Sequence, residues 1–313
     1  MLLKIILYSL LLFAINGLFA NEKPLIIASH KVTIDTTHND SIRLSKIIDL
    51  SWDYRNYSTD SALYYSDWAI RLAKSTNQVL LLAKELDIRS TIMIIMGKLD
   101  SAEYYQNSSL EIRQNMHDYR GLRSSYEEMG NIKKAKGHYE LALKYYFKAL
   151  NTIDSIKYRP VELELYEEYK FETLDKFIEK FRKRNFDMNK KTPEASSVKF
   201  VHIANEKRLI GEIYLIKKDY PNAEKYLLEA LELNYRLLDG DQIVMNENAV
   251  SKLYLALGIN SKAKYHAIIC KDISIHNGNY LEASRSFEIL SNIELTESNY
   301  SKALNYLDSS SYM

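Results

Sequence analysis

The sequence predicts an all-α fold, an α-solenoid of about seven antiparallel helix-pair repeats. The first observation is a regular spacing of six alanines, in steps of 40, 40, 81, 40 and 40 residues: Ala62, Ala102, Ala142, Ala223, Ala263 and Ala303. Self-similarity at a fixed period of this size is the sequence signature of stacked helical pairs. The second observation is composition, because 9 glycines and 4 prolines in 313 residues are too few turn-formers for an all-β chain.

Other positions repeat with the alanines. Seven residues after each one, another small side chain follows: Ala69, Ser109, Ala149, Ala230, Cys270 and Ser310. Twelve residues before each one, the residue is small except at Leu50: Ser90, Gly130, Gly211, Ser251 and Ser291. Three residues after each one, the side chain is a ring: Tyr65, Tyr105, Tyr145, Tyr226, His266 and Tyr306. Offsets of three and seven share one helix face, so each unit predicts a helix A, a tight turn and a helix B in close contact.

Two units show this plan most clearly. In residues 126–150, Gly137 ends helix A and Tyr139 opens helix B; in residues 210–231, Pro221 falls in the first turn of helix B. These segments resemble tetratricopeptide repeats, and the matching residues are Gly130, Tyr139, Ala142, Tyr146 and Ala149, then Gly211, Tyr214, Ala223 and Ala230. The resemblance covers about residues 40–310 and implies a right-handed superhelix, with a repeat domain over 39–313. Because the usual repeat has about 34 residues, longer helices or longer turns are expected here.

One stretch breaks the rhythm between Ala149 and Gly211. The period places a small residue near position 182, where the sequence has Phe181-Arg182-Lys183-Arg184. We therefore predict a degenerate repeat and a loop at about 157–197, with the next helix starting between Ala195 and Ser197. The cations in this stretch are typical of a solvated helix end, and the alternative is a docking site for an anion.

The first twenty residues form a separate segment. Lys4 precedes an apolar run from Ile5 to Ala14, and the small residues Gly17 and Ala20 precede a polar stretch. This order predicts a secretory signal peptide over 1–20; the alternative is an uncleaved membrane anchor. No second apolar segment of spanning length follows. Residues 21–38 are expected to be an extended polar leader, and the mature protein is expected in the periplasm or outside the cell.

The sequence gives no pattern typical of an enzyme. The histidines are scattered without metal-ligand spacing, and no phosphate-binding glycine loop, serine elbow or zinc pattern occurs. Cys270 takes a small-residue position of helix B, which favours a buried structural thiol. Adjacent carboxylates such as Glu127-Glu128 are typical of solvated helix faces. We therefore predict no catalytic residue, no cofactor and no metal, and the net charge of +1 argues against nucleic acid as a partner.

The resemblance also implies a binding groove lined by the A helices. In the family, residues one turn before and one residue after the small position of helix A point into that groove. Transferred by matching position, the candidates are Asp87, Thr91, Glu127, Asn131, Arg208, Glu212, Asn248, Lys252, Glu288 and Asn292. Their mixed charge favours a peptide held by hydrogen bonds. The alternative is that these residues only solvate the wall.

Three functions compete. The first is an exported, non-enzymatic scaffold that binds a protein or peptide. The second is the N-terminal sensory region of a larger membrane-bound signalling or transcription regulator, because the chain resembles the periplasmic halves of bacterial regulators. The third, an enzyme, is disfavoured by the missing motifs. The last unit stops inside its helix B without a polar capping helix, which predicts truncation or a partner on that end, self-association included.

Overall fold

A computed structural model describes residues 22–156, 195–237 and 240–311. The predicted signal peptide, residues 1–20, and most of the predicted degenerate repeat lie outside these ranges. The chain divides into two compact units, Met1–Lys136 and Gly137–Met313. In the described parts of both units, helices and short turns account for the backbone and no strand occurs.

Unit 1 contains six described helices. They are α1 (Glu22–Thr36), α2 (Asp40–Tyr54), α3 (Thr59–Ser75), α4 (Val79–Ile95), α5 (Leu99–Asn115) and α6 (Tyr119–Ala135). Sequential helices pack on one another, α4 most extensively on α5. The core holds Leu44, Ile48 and Ile92 around the small residues Ala62 and Ala102.

Unit 2 contains seven described helices. They are α7 (Tyr139–Thr152), α8 (Ala195–Ile216), α9 (Tyr220–Leu237), α10 (Gly240–Ala256), α11 (Asn260–His276), α12 (Tyr280–Thr296) and α13 (Tyr300–Ser311), with a 3-10 turn at Ile153–Ser155. Helix α8 starts at Ala195, as the sequence predicts. The prediction of an all-α chain of consecutive helix pairs is confirmed within the described ranges.

The predicted pairing of small residues across each helix pair is present and includes hydrogen bonds. Every one of the six periodic alanines is at most 1% exposed. Helix A serines donate through Oγ to the carbonyl oxygens of these alanines in helix B: Ser90 to Ala102 at 2.9 Å, Ser251 to Ala263 at 2.7 Å and Ser291 to Ala303 at 2.9 Å. Serine suits this position for two reasons. It is small, and its buried hydroxyl has the alanine carbonyl oxygen as a hydrogen-bond acceptor.

A second set of hydrogen bonds joins the two helices at the opposite end of the pair. Ser109 of α5 donates to the carbonyl of Ala83 in α4 at 3.0 Å, and the Cys270 thiol of α11 donates to the carbonyl of Val244 in α10 at 3.3 Å. Since one set joins the end of helix A to the start of helix B and the other joins the opposite ends, the two helices run antiparallel.

The first repeat corrects one sequence assignment. The twelve-residue spacing assigns Leu50 to the small position of helix A, but Ser51 takes that role in the structure. Its Oγ lies 3.4 Å from the carbonyl oxygen of Ala62. Helix α2 ends only three residues after this serine, whereas α4 ends five residues after Ser90. The turn of the first pair thus differs, and the spacing to the alanine falls by one residue.

Helix α1 corrects another expectation. We predicted an extended leader over 21–38, but Glu22–Thr36 is helical. Ile34 is buried and Ile27 is partly buried against the core of unit 1. These two side chains are seven residues apart and lie on one helix face, which packs on α2. Over the described residues, none of the helices has the length and apolar character needed to cross a membrane.

The tight turns share one conformation. After α4, Gly97 has φ of +72°, and the amide of Lys98 donates to the carbonyl of Met93 at 2.8 Å. After α5, His117 takes φ of +52° in the same place, although only glycine adopts this region without strain. Gly137 ends α6 with φ of +75°, as predicted. Since half of these turns lack glycine, their positions are only partly visible in the sequence.

Candidate binding groove

The A helices α4 and α6 carry four candidate groove residues in unit 1. All four are partly buried: Asp87, Thr91, Glu127 and Asn131. In unit 2, α8, α10 and α12 carry the other six. Arg208 and Asn248 are buried and Glu212 is partly buried, while Lys252, Glu288 and Asn292 are exposed. The position carried over from the family is therefore open to solvent to very different degrees along the chain.

Asp87 is committed to the packing of unit 1. Its Oδ2 accepts from Nη2 of Arg113 in α5 at 2.5 Å. Its Oδ1 accepts from Gln106 at 2.9 Å and from the hydroxyl of Ser125 in α6 at 3.0 Å. Arg113 also binds Asp118 in the turn before α6. This buried network joins α4, α5 and α6, so the acceptors of Asp87 are already used inside the protein.

Glu128 is the groove residue that sequence reasoning missed. It lies one position after Glu127, and we assigned this acidic pair to a solvated face. Instead its carboxylate lies 3.5 Å from the Thr91 hydroxyl and accepts from the Asn131 amide at 3.0 Å. Glu128 and Asn131 are both on α6, so the contact that joins two neighbouring A helices is the one between Glu128 and Thr91 on α4.

The surroundings of Glu128 disfavour the charged form of its carboxyl. Burial raises the pKa of the Glu128 carboxyl, and the charges of Glu127 and Asp87 raise it further, against the bond from Asn131. Glu127 itself accepts from Arg123 at 2.7 Å. The groove of unit 1 thus combines hydroxyl, amide and carboxyl groups with a local excess of acid.

The buried candidates of unit 2 are bonded to other side chains of the protein. Arg208 donates to Glu212 one turn further along α8, and to the side chain of Asn205 at 2.8 Å. Asn248 of α10 donates to Glu282 of α12 at 2.6 Å, which joins two successive repeats. The side chains open to a ligand in this unit are therefore Lys252, Glu288 and Asn292, one cation, one anion and one amide.

A buried Tyr-Glu-His cluster lies between α9, α10 and α11. Glu247 is fully buried, and its carboxylate accepts from the Tyr235 hydroxyl and contacts Nδ1 of His266 at 2.6 Å. Burial, followed by the charge of Glu247, raises the pKa of Tyr235, so this phenol keeps its proton and donates it to the bond. His266 also stacks on Tyr254 with ring centroids 5.5 Å apart, in the position that tyrosine takes in other repeats. Because the Glu247 carboxylate has no exposed surface, we interpret the cluster as a structural contact between the three helices.

Cys270 behaves as a small buried residue. It is fully buried, and burial raises the pKa of its thiol to about 12. A thiol with this pKa is not a thiolate near neutral pH and is a poor nucleophile. The interpretation of Cys270 as structural is confirmed. In the described ranges, no three His, Cys, Asp or Glu side chains come together as a metal site.

Comparison with known proteins gives the fold. No protein-family model matches the chain, and no curated protein matches it.

Solved structures of helical repeat proteins are similar to it. A Rap protein in complex with competence and sporulation factor has a TM-score of 0.61 and 12% identity over 95% of this chain and 72% of that one. Aspartyl phosphate phosphatase F from Bacillus subtilis has a TM-score of 0.61 and 11% identity over 92% of this chain and 63% of that one. A signal-transduction ATPase with a tetratricopeptide repeat sensor, from Pyrococcus horikoshii, has a TM-score of 0.63 and 14% identity over 96% of this chain and 40% of that one.

At these identities the similarity establishes the fold. The chain has a tetratricopeptide-like α-solenoid fold, which agrees with the repeat pattern of its sequence.

Proposed function

We propose that the chain is an exported, non-enzymatic scaffold that binds a protein or peptide in the groove lined by its A helices. The observation that carries this proposal is the contact between Thr91 on α4 and Glu128 on α6 at 3.5 Å, beside the candidate Asn131 on the same helix as Glu128. Polar groups of adjacent repeats thereby form one continuous surface. An extended peptide presents alternating N–H and C=O groups, and such a surface offers both donors and acceptors to them.

The open side chains of unit 2 extend the same proposal. Lys252, Glu288 and Asn292 are exposed on α10 and α12, and a charged or amide side chain of a peptide can pair with each. The solved Rap protein supports this assignment because its structure contains competence and sporulation factor, on a fold similar to that of this chain.

Binding can be tested with charge-reversed variants of the open groove residues. The mature chain would be used to capture partners from its native envelope, and the affinity for each captured partner would then be measured by calorimetry. We expect Lys252→Glu with Glu288→Lys to weaken binding at least tenfold. Glu111→Lys, an exposed change on the B helix α5, serves as the control and keeps the affinity of the parent. Equal affinity in the parent, the charge-reversed variant and the control would refute the assignment of the groove as the binding site.

Export is a separate part of the proposal. It is supported by the order of a charged start, an apolar run and small residues before Asn21. Mass spectrometry of the protein from the cell envelope would identify its first residue. We expect Asn21; a chain that retains Met1 and partitions with membranes would favour the uncleaved anchor.

The alternative function is the N-terminal sensory region of a larger membrane-bound signalling or transcription regulator. The Pyrococcus horikoshii ATPase supports it, because a repeat sensor of similar fold forms part of a longer signalling protein there. The coding sequence downstream of Met313 distinguishes the two. A membrane-spanning segment followed by a kinase or DNA-binding domain would select the regulator.

Self-association through α13 is a further proposal, and the exposure of its apolar stripe supports it. Leu304 and Leu307 are 61% and 53% exposed. The residues equivalent to Leu307 in the other described repeats are fully buried: Ser66, Gln106, Tyr146, Leu227 and Ala267. Light scattering on the purified chain would show a dimer, which Leu307→Lys would dissociate; a monomer at all concentrations would exclude it.

A further inference from the structure

Glu85 is a fully buried carboxyl at the contact between the first two helix pairs. It lies on α4, five residues before the small position of that helix, Ser90. Its Oε1 accepts from the Ser51 hydroxyl of α2 at 3.0 Å, and its Oε2 has no hydrogen-bond partner. A buried carboxylate oxygen without a donor is costly, whereas a protonated carboxyl needs less from its surroundings.

The groups around Glu85 do not neutralise it. The charges that act on it, Arg89 and Lys84, are both on its own helix. Arg89 is bound to Asp67 at 3.0 Å, and Lys84 lies 3.8 Å from Asp49. The groups that face Glu85 from α2 and α3 are serine hydroxyls, Ser51 and Ser66. On α5, Arg113 is held by Asp87 and Asp118. On α6, Lys133 forms an ion pair with Glu103, and the Ser125 hydroxyl donates a hydrogen bond to Asp87.

The equivalent position is polar and buried in every described repeat from α4 onwards. It holds Ser125 in α6, Glu206 in α8, Asn246 in α10 and Ser286 in α12. Serine and asparagine have no charge to gain or lose near neutral pH. Within unit 1, Glu85 is therefore the residue at this position through which pH can act on the contact between helix pairs.

We propose that Glu85 makes the contact between α2 and α4 a proton-controlled latch, closed when the carboxyl is neutral and loosened when it ionises. Ionisation places a charge beside two serine hydroxyls, Ser51 and Ser66, at a site closed to solvent. The charge is relieved when α2 separates from α4 and solvent reaches the carboxylate. Because α4 also carries Thr91 and Asp87, the latch would set the position of one wall of the proposed groove, although the inference does not depend on the groove's ligand.

The size of the effect follows from proton linkage. Burial raises the pKa of Glu85 from 4.5 to about 7. The closed form therefore holds the proton more tightly than the open form, its stabilisation is complete below the ordinary pKa, and it is lost as pH rises through about 7. With a pKa of 4.5 in the open form and about 7 in the closed form, the equilibrium constant for opening rises about tenfold between about pH 6 and about pH 8.

Amide hydrogen exchange tests the latch in the full chain. Protection factors of α2 and α4, corrected for the intrinsic pH dependence of exchange, would be compared for the parent, Glu85→Gln and the control Glu111→Gln, whose site is exposed. We expect the parent and the control to lose protection about tenfold between about pH 6 and about pH 8, and Glu85→Gln to lose none. Unchanged protection in the parent, or an equal loss in Glu85→Gln, would overturn the proposal.

A second measurement covers the case in which Glu85→Gln does not fold. The side-chain carboxyl carbon of Glu85 in the unaltered protein can be followed by NMR as pH is varied. We expect its midpoint near the value that burial gives, about 7. A midpoint at the ordinary value of 4.5 would show that the carboxylate is tolerated in the closed state, and would remove the basis of the latch.

Discussion

Replacing Gly211 with alanine tests whether the contact between α8 and α9 needs a residue without a side chain. A Cβ at Gly211 would lie 2.7 Å from Cγ and 3.1 Å from the backbone nitrogen of Leu227. Leu227 is fully buried, so its side chain has no free space to move into. In an exposed helix the change from glycine to alanine stabilises by about 0.5–1 kcal/mol, whereas overpacking a core costs about 1–3 kcal/mol. We expect a net destabilisation of about 1–2 kcal/mol.

Urea unfolding of the parent and the variant measures this difference, and a double-mutant cycle assigns its cause. Leu227→Ala alone should cost about 2–5 kcal/mol, because it leaves a cavity. In that background Gly211→Ala should cost less, since the Leu227 side-chain carbons it would strike are gone and only the backbone nitrogen stays close. The reasoning is refuted if Gly211→Ala stabilises the otherwise unaltered protein, or if its cost is the same in both backgrounds.

The remaining predictions concern three other places in unit 2. Ala142→Trp puts a large ring at a fully buried position, and calorimetry should show a loss of about 3 kcal/mol or more; a melting temperature equal to that of the parent would contradict the packing role. Tyr235→Phe removes the hydroxyl donor from the buried carboxylate of Glu247, so urea unfolding should show a loss of about 1–3 kcal/mol, and no loss would show that this bond does not stabilise the fold. The Lys264 ammonium holds the pKa of Glu294 below its usual range, so this pair stabilises the fold above the ordinary carboxyl pKa and loses that effect as pH falls through the lowered value. Glu294→Gln should therefore lower stability at neutral pH and converge with the parent in acid, and a constant difference at every pH would exclude the linkage.

The repeat fold was predictable because one face of each helix B is held to small residues. Any larger side chain at Ala102 or Ala263 would push the two helices apart, so the spacing stays visible from Ala62 to Ala142 and from Ala223 to Ala303. In the first helix pair the small position of helix A lies one residue later than the spacing predicts. The turn of this pair has a different length, so Ser51 takes the role assigned to Leu50. A search for glycine does not locate the turns at Asn77 and His117, because these two residues adopt the left-handed backbone conformation that glycine takes in the other turns.

The candidate groove was less predictable, for physical reasons seen at individual residues. Family position placed Asp87 and Arg208 on the A helices but could not show that their hydrogen-bonding groups are used inside the protein. Glu128 was assigned to solvent because charged pairs on helices are mostly exposed. Its contact with Thr91 depends on the neighbouring repeat, and sequence gives no distance between residues 37 positions apart.

Thiol labelling of the periodic alanines tests the central claim most directly. A background free of other thiols is available, because Cys270→Ser installs the residue that Ser109 and Ser310 already supply at the same position. In that background Ala102→Cys is compared with Asn107→Cys, an exposed site on the same helix, α5. Helix pairs packed through small residues predict that the cysteine at position 102 reacts on the order of a thousandfold more slowly, through unfolding. Equal labelling rates at the two sites would show that the alanines face solvent, and would contradict the account.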